Sequence, residues 1–425
     1  MTHRSLTWSL AAVLFLCAAP RGGTQEFFFK KGDVIVVMGD SITEQRLYSN
    51  YLEIWSQTRF PAYNLVFRNV GIGGDTSGGG NGRFKRDVLT HKPTVLTVDF
   101  GMNDAGGSFD NYMKGQQGIA NQAKAANIRV AWITPQPVEH NPGNPGESYN
   151  VKLAKFSEGV KTIASQNNGL FVDQFHPYWA VIDKARKAGE KGRITGGDAV
   201  HPGPPGQALM AASILKGMGF PRHVSSVELA VGALKGIGTK VTAMNCKVIN
   251  LNRADAIIFH RLDAALPFFP EQAKSILKHT PLLEDMNHYG LKITGLKEGK
   301  YEVRLGGLRT DAVKIAEYTD KELAAGVNLA EPALAAGPVA DQVKDIVKVI
   351  TDKTNYYHGQ IYSPLVLGRS VNAKNPDFKD LPKEDWQKRR EALIAERLQK
   401  MPEFDAAIRK ALEPRQHRVE IVPVK

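Results

Sequence analysis

Ser41 lies in the triplet Gly39-Asp40-Ser41, directly after the apolar run Val34 to Met38. A serine hydroxyl becomes a nucleophile once a neighbouring base takes its proton. At the carboxyl end of a parallel strand, beside the start of a helix, it would sit where open α/β sheets place their ligands. The helix N-terminus there also favours the negative charge that develops in acyl transfer. A suitable base lies far downstream, in Asp198-Ala199-Val200-His201-Pro202. A carboxylate three residues before an imidazole can hold the tautomer that leaves the other ring nitrogen free to accept a proton. Each segment alone is ordinary: Gly-Asp-Ser is common turn chemistry, and composition by itself yields about one Asp-x-x-His pair in such a chain.

Two further segments offer donors for a developing oxyanion. Asn69-Val70-Gly71-Ile72-Gly73-Gly74-Asp75-Thr76 follows an apolar run, and glycines let a backbone turn sharply and bring an N–H close to a substrate. A flexible loop is the plain alternative, and Gly78 to Gly80 favours it; a phosphate-binding loop lacks its Gly-Lys-Ser/Thr ending. Gly101-Met102-Asn103-Asp104 follows the next apolar run, and the Asn103 amide is a second kind of donor.

These four segments need a scaffold that brings strand ends together. From about Lys31 to Phe220, short apolar runs alternate with helical patterns, the signature of a parallel α/β sheet. The predicted strands are Val34 to Met38, Leu65 to Val70, Val95 to Phe100, Ile128 to Thr134 and Leu170 to Val172. Being apolar almost throughout, they suit strands covered by helices on both faces. Leu47, Tyr51 and Ile54 form one helical stripe, and a last helix is predicted from Pro204 to about Gly217 or Gly219.

Taken in order, the four segments resemble the ordered blocks of the SGNH/GDSL hydrolases: a GDS serine, a glycine, a GxND asparagine and a DxxH pair. The resemblance covers roughly Lys31 to Phe220, and no functional residue carries over into the rest. It implies a three-layer, flavodoxin-like α/β domain with a mainly parallel sheet, followed by a C-terminal α+β extension. It also implies a catalytic triad of Ser41, Asp198 and His201. The implied oxyanion hole comprises the Ser41 N–H, a glycine N–H, with Gly74 fitting better than Gly73, and the Asn103 side chain. Asp40 is then read as organising the turn. Such an enzyme needs neither cofactor nor metal, and its activity would fall on acidification as His201 takes up a proton.

The chain has 425 residues, enough for more than one domain, with 42% hydrophobic and 23% charged residues. Residues 1–25 read as an export signal: Arg4 precedes an apolar run from Trp8 to Ala19, too short to span a bilayer comfortably. That predicts a secreted or periplasmic protein with no integral membrane span. Without Cys17, only Cys246 remains, so no internal disulfide can form. The net charge of +12 is scattered and lacks an aromatic-and-basic platform, which argues against nucleic acid as a partner.

The division expected is a hydrolase domain at 26–220 and an accessory α+β region at 221–425. In the latter, strands are predicted at Val227 to Leu234, Lys240 to Ile249, Ala256 to Arg261, Leu291 to Ile293, Tyr301 to Leu305 and Arg418 to Val422. Thr319 with Glu322 fits a capping box, Val339, Val343, Ile346 and Ile350 form a helical stripe, and a charged helix spans Trp386 to Gln399. Trp132 reads as core. His140 is a candidate to border the pocket or equally a surface histidine, and His176, Tyr178 and Trp179, after the fifth strand, are candidates to line a sugar site; His260, His288 and His358 show no metal-ligand spacing.

The function expected is therefore a secreted esterase that releases an acyl group, acetyl first among the candidates, from an ester on a carbohydrate such as an acylated polysaccharide. The rivals are a lipase or lysophospholipase with the same machinery, a glycan-binding envelope protein, and, more remotely, a metal hydrolase. The sequence carries no sign of oligomeric state.

Overall fold

Parallel strands require crossovers of a dozen or more residues, and the N-terminal half supplies them as helices. The computed structural model describes residues 26–141, 144–232 and 238–424; the predicted export signal lies outside them. The chain runs β1 (Val34–Gly39), α1 (Ser41–Glu44), α2 (Leu47–Arg59), β2 (Val66–Asn69), α3 (Ser77–Asp87), β3 (Val95–Asp99) and α4 (Phe109–Ala125). It continues through β4 (Arg129–Ile133), α5 (Tyr149–Gln166), β5 (Leu170–Val172), α6 (Phe175–Lys187) and α7 (Pro204–Gly217).

The five strands form one sheet in the order β2-β1-β3-β4-β5, and every neighbouring pair is parallel. This is the flavodoxin-like order of a three-layer α/β fold. Helix α2 packs against α7, whereas α3 packs on α4 and α4 on α5. Val36, Val37 and Met38 of β1 and Leu96 and Val98 of β3 are buried, as strands covered on both sides must be. The strand order reverses between β1 and β3, so a crevice opens at the carboxyl ends of those two strands.

The C-terminal half continues as β6 (His223–Ala230), β7 (Lys240–Met244), β8 (Cys246–Arg253), β9 (Ile257–Asp263), α8 (Leu282–Met286), β10 (His288–Thr294), β11 (Lys300–Gly306) and β12 (Val313–Thr319). After these come α9 (Asp320–Ala325), β13 (Val327–Asn328), α10 (Ala330–Ala335), α11 (Pro338–Tyr356), a π-helix (Tyr357–Val366), α12 (Trp386–Leu398), α13 (Met401–Ala411) and β14 (His417–Pro423). They build a four-stranded sheet, β13-β10-β6-β7, and a five-stranded antiparallel sheet, β12-β11-β14-β9-β8.

The predicted strand Lys240 to Ile249 is in fact two, because Asn245 takes a left-handed conformation (φ 60°) and turns the chain from one sheet into the other. The strand predicted at Val227 begins earlier, at His223, and ends at Ala230. The capping box at Thr319 and Glu322 forms as predicted, with both reciprocal bonds made.

Hydrophobic packing does not stop at the end of α7. One core cluster includes Val37 of β1, Leu52 and Trp55 of α2, Phe268, and Ile346 and Ile350 of α11. Helix α11 lies on α2, where the buried Lys353 ammonium bonds the buried Glu53 carboxylate.

Candidate active site

Asp40 caps α1: its Oδ1 accepts the Ile42 N–H at 3.0 Å, so the carboxylate organises the turn that carries Ser41. Burial pushes the Asp40 carboxyl up to about 7. The Ile42 N–H and His201 work against that rise, while Asp104 and Asp75 add to it. Ser41 is the first residue of α1, and its N–H points out of the helix end with no intrahelical acceptor.

The loop before α7 brings His201 to Ser41 across 160 residues. The Ser41 Oγ lies 2.9 Å from His201 Nε2, and His201 Nδ1 lies 3.0 Å from Asp198 Oδ2. The other carboxylate oxygen of Asp198 accepts the backbone N–H groups of Val200 at 2.8 Å and His201 at 2.7 Å. The Asp198 N–H in turn donates to the His201 carbonyl. A Cβ on Gly197 (φ 66°) would meet that carbonyl oxygen at 2.1 Å, so the loop can close this tightly only over a glycine. Desolvation raises the Asp198 carboxyl, but the N–H groups of His201 and Val200 and the imidazole together outweigh it and hold the group below its usual range.

Neighbouring side chains fix this loop. Gln207 of α7 accepts the Tyr48 N–H at 2.9 Å and donates to the Pro202 carbonyl at 3.2 Å and to Gln45, so α7 ties the histidine loop to the helices after the serine. The buried Glu139 accepts the N–H groups of Ile194 and Thr195, each at 3.0 Å, and its own N–H donates to Ala199.

The glycine loop after β2 stands beside α1. Gly74 has φ 75°, a conformation other residues adopt only under strain, and a Cβ there would meet open space. The Asn103 amide follows β3 and donates one hydrogen to the Asp75 carbonyl at 2.8 Å, which leaves its second hydrogen available. The buried Arg83 guanidinium braces both strand ends: Nη2 donates to the Gly39 carbonyl at 3.1 Å, Nη1 to the Val70 carbonyl at 2.6 Å, and Nε pairs with Asp75 at 2.7 Å.

The sequence-predicted residues are thus distributed unequally. Ser41, Asp198 and His201 form one hydrogen-bonded chain. Asn103 joins the glycine loop through Asp75. Trp132 is buried in β4, as read. Tyr178 is also fully buried, its hydroxyl lying against Gly206 of α7. His176 bonds Asp173 at 2.7 Å on an exposed face, and Trp179 lies under the Arg186 guanidinium. Sequence reasoning missed Gln207, Glu139, Arg83 and Glu44. Among the described residues no cluster of three or more His, Cys, Asp or Glu side chains is placed to hold a metal ion, and no helix is long and apolar enough to cross a membrane.

Residues 37–209 match the GDSL-like Lipase/Acylhydrolase family. The chain is 24% identical to an acetylxylan esterase of Geobacillus stearothermophilus over 216 residues, which is 44% of this chain and 95% of that protein. A gut microbial diltiazem-metabolizing enzyme superposes on 95% of this chain and 100% of its own, with a TM-score of 0.77 at 24% identity. The crystal structure of Axe2, the acetylxylan esterase from G. stearothermophilus, aligns with 46% of this chain and 97% of its own, with a TM-score of 0.40 at 23% identity.

Proposed function

We propose, from the premise that the N-terminal half of the chain belongs to the GDSL-like lipase/acylhydrolase family, that the protein is a serine esterase with Ser41 as nucleophile, His201 as general base and Asp198 as its orienting acid. The observation that carries this reading is the unbroken chain of hydrogen bonds from Ser41 Oγ through His201 to Asp198 Oδ2. The serine lies at the sheet's switch point, where a substrate carbonyl can reach it.

The chemistry proceeds in two acyl transfers. His201 Nε2 takes the Ser41 proton as Oγ attacks the ester carbonyl, and the electron pair of the C=O moves to its oxygen. The Ser41 N–H, the Gly74 N–H and the free Asn103 hydrogen hold that oxyanion. The imidazolium is stabilised by Asp198 and gives its proton to the leaving alcohol as the ester bond breaks. Water then attacks the acyl-enzyme with His201 again as base, releasing the acid and restoring Ser41.

The substrate class proposed is a short acyl ester, acetyl first, on a carbohydrate exposed outside the cytoplasm. The acetylxylan esterase relative supports the acyl group and the sugar, and the apolar segment from Trp8 to Ala19 supports export. Residues 221–425 are then an accessory region attached to the hydrolase domain at 26–220. The test is acetate release from acetylated xylan, and hydrolysis of 4-nitrophenyl esters of rising chain length, by wild type and Ser41→Ala. The reading expects acetate from xylan and the fastest turnover on acetyl, both lost in the variant. Preference for long acyl chains would instead make the protein a lipase, and undiminished hydrolysis by the variant would remove Ser41 from the chemistry.

A further inference from the structure

Glu44 is the last residue of α1, one helical turn after Ser41. Its carboxylate faces two ways. Oε2 accepts the Gly73 N–H at 2.6 Å, while Oε1 bonds the Arg369 guanidinium and stands 3.6 Å from His358 Nε2. Arg369 and His358 both come from the C-terminal half, more than 300 residues away, where His358 lies in the π-helix and Arg369 three residues beyond its end. Desolvation would raise the Glu44 carboxyl, but Arg369 and the Gly73 N–H outweigh it and keep the group charged.

An exposed ion pair would ordinarily contribute little, and Arg369 is 47% exposed. This one differs in what it anchors. The Gly73 N–H is bonded to Glu44 alone, and the next peptide carries the Gly74 N–H in a left-handed turn over open space. Rotation of the peptide before Gly73 would re-aim the peptide after it. The same π-helix reaches the start of the loop as well: the buried Tyr362 hydroxyl lies 3.1 Å from the Val70 carbonyl and 3.0 Å from the Asp87 carboxylate, and accepts from Arg83 at 3.1 Å. Segments of π-helix are rare and recur at functional sites. Here the segment and the residues just after it brace the start of one five-residue loop at Val70 and, through Glu44, its middle at Gly73.

We propose that the C-terminal half is part of the catalytic apparatus, with Arg369 a positioning residue that acts through Glu44 to hold the Gly71–Asp75 loop where the Gly74 N–H meets the oxyanion. The inference rests on the reading of Ser41 as nucleophile and Gly74 as oxyanion donor. It assigns residues 357–369 a role in turnover rather than in substrate capture. Arg369 touches neither the substrate nor the reacting atoms. Its loss therefore lowers kcat and leaves KM nearly unchanged, since a donor aimed at the oxyanion acts mainly in the transition state.

The experiment measures kcat and KM on 4-nitrophenyl acetate for wild type, Ser41→Ala, Arg369→Ala, Arg369→Lys, Glu44→Ala and the double variant Glu44→Ala/Arg369→Ala, with the Tm of each. A full oxyanion donor is worth about 100-fold or more in kcat, so a misaimed one should cost Arg369→Ala roughly 10- to 100-fold, with KM within about twofold. Arg369→Lys recovers most of the rate, because a single contact to one carboxylate oxygen is all a lysine must reproduce. In the Glu44→Ala background, removing Arg369 costs nothing further, since its effect runs through that carboxylate. Arg369 is half exposed, so its variants keep the wild-type Tm; if Arg369→Ala nonetheless melts early, the double-variant comparison carries the decision. Wild-type kcat in Arg369→Ala, or single losses that multiply in the double variant, would overturn the inference. If Ser41→Ala is inactive while Arg369→Ala is wild type, only this inference falls. If Ser41→Ala is active, the nucleophile assignment falls first.

Discussion

Replacing Asp198 separates two contributions that usually fall together. Its carboxylate is 65% exposed, so it acts on His201 through partly aqueous surroundings. At about 4 Å between charge centres, the interaction with an imidazolium is worth about 1 kcal/mol in water and about 4 kcal/mol at an effective dielectric of 20. Exposure places the value in the lower part of that range, so Asp198→Ala should lower kcat about 10- to 100-fold. Asp198→Asn should do worse, although it is nearly isosteric. Its Oδ1 would stay on the Val200 and His201 N–H groups, as the carboxylate does at 2.8 Å and 2.7 Å. The NH2 group would then face His201 Nδ1, force that nitrogen to accept, and put the ring proton on Nε2, where the Ser41 proton must go. An amide that imposes the wrong tautomer on a triad costs on the order of ten-thousandfold. The assay is the initial rate of 4-nitrophenyl acetate hydrolysis against substrate concentration, at one pH above neutrality. The expected order is wild type, then Ala, then Asn, the last at least about tenfold below Ala. An Asn variant as active as Ala would refute the argument, because Oδ1 would then not be pinned by the loop.

Further perturbations test the site and the structure around it. Asn103→Ala and Gly74→Ala should each lower kcat about 100-fold with little change in KM, the first by deleting a donor and the second by straining a residue at φ 75°; steady-state kinetics decides. Asp40→Asn should raise Tm by a few degrees at pH 8 and by progressively less toward pH 4. The folded carboxyl, at about 7, lies above that of an unfolded aspartate, so the folded state keeps its proton longer and loses stability as pH rises between the two values; melting curves across pH would show no such convergence if Asp40 were already ionised in the fold. Truncating Lys353, 3% exposed against Glu53 at 3%, should cost about 3–5 kcal/mol in denaturant unfolding by stranding a buried carboxylate, and Glu53→Gln with Lys353→Met should recover much of it.

The N-terminal half was legible because its candidate site lies at strand ends, and apolar runs mark those ends. Val34 to Met38 and Val95 to Phe100 locate Ser41 and Asn103, and both strands form as read within a residue. The supports of the site were not legible. Glu139, Gln207 and Arg369 are polar residues in segments with no motif, and each acts on a partner tens to hundreds of residues away. Contacts of that kind depend on the finished fold, not on local spacing. In the C-terminal half, β12 was missed because Lys314 and Glu317 interrupt its apolar alternation, although they pair with each other and across the ladder, Lys314 with Glu302 and Glu317 with Lys300. Asn245 was overlooked as a corner because apolar residues flank it on both sides, whereas its left-handed backbone is what ends β7.

Covalent trapping would locate the nucleophile independently of any substrate. Wild type would be inactivated with a fluorophosphonate, digested and analysed by peptide mass, in parallel with His201→Ala. A single adduct is expected on Ser41, formed in proportion to lost esterase activity, with slow or absent labelling when the base is removed. Inactivation with the adduct on another residue, or with Ser41 unmodified, would contradict Ser41 as the nucleophile.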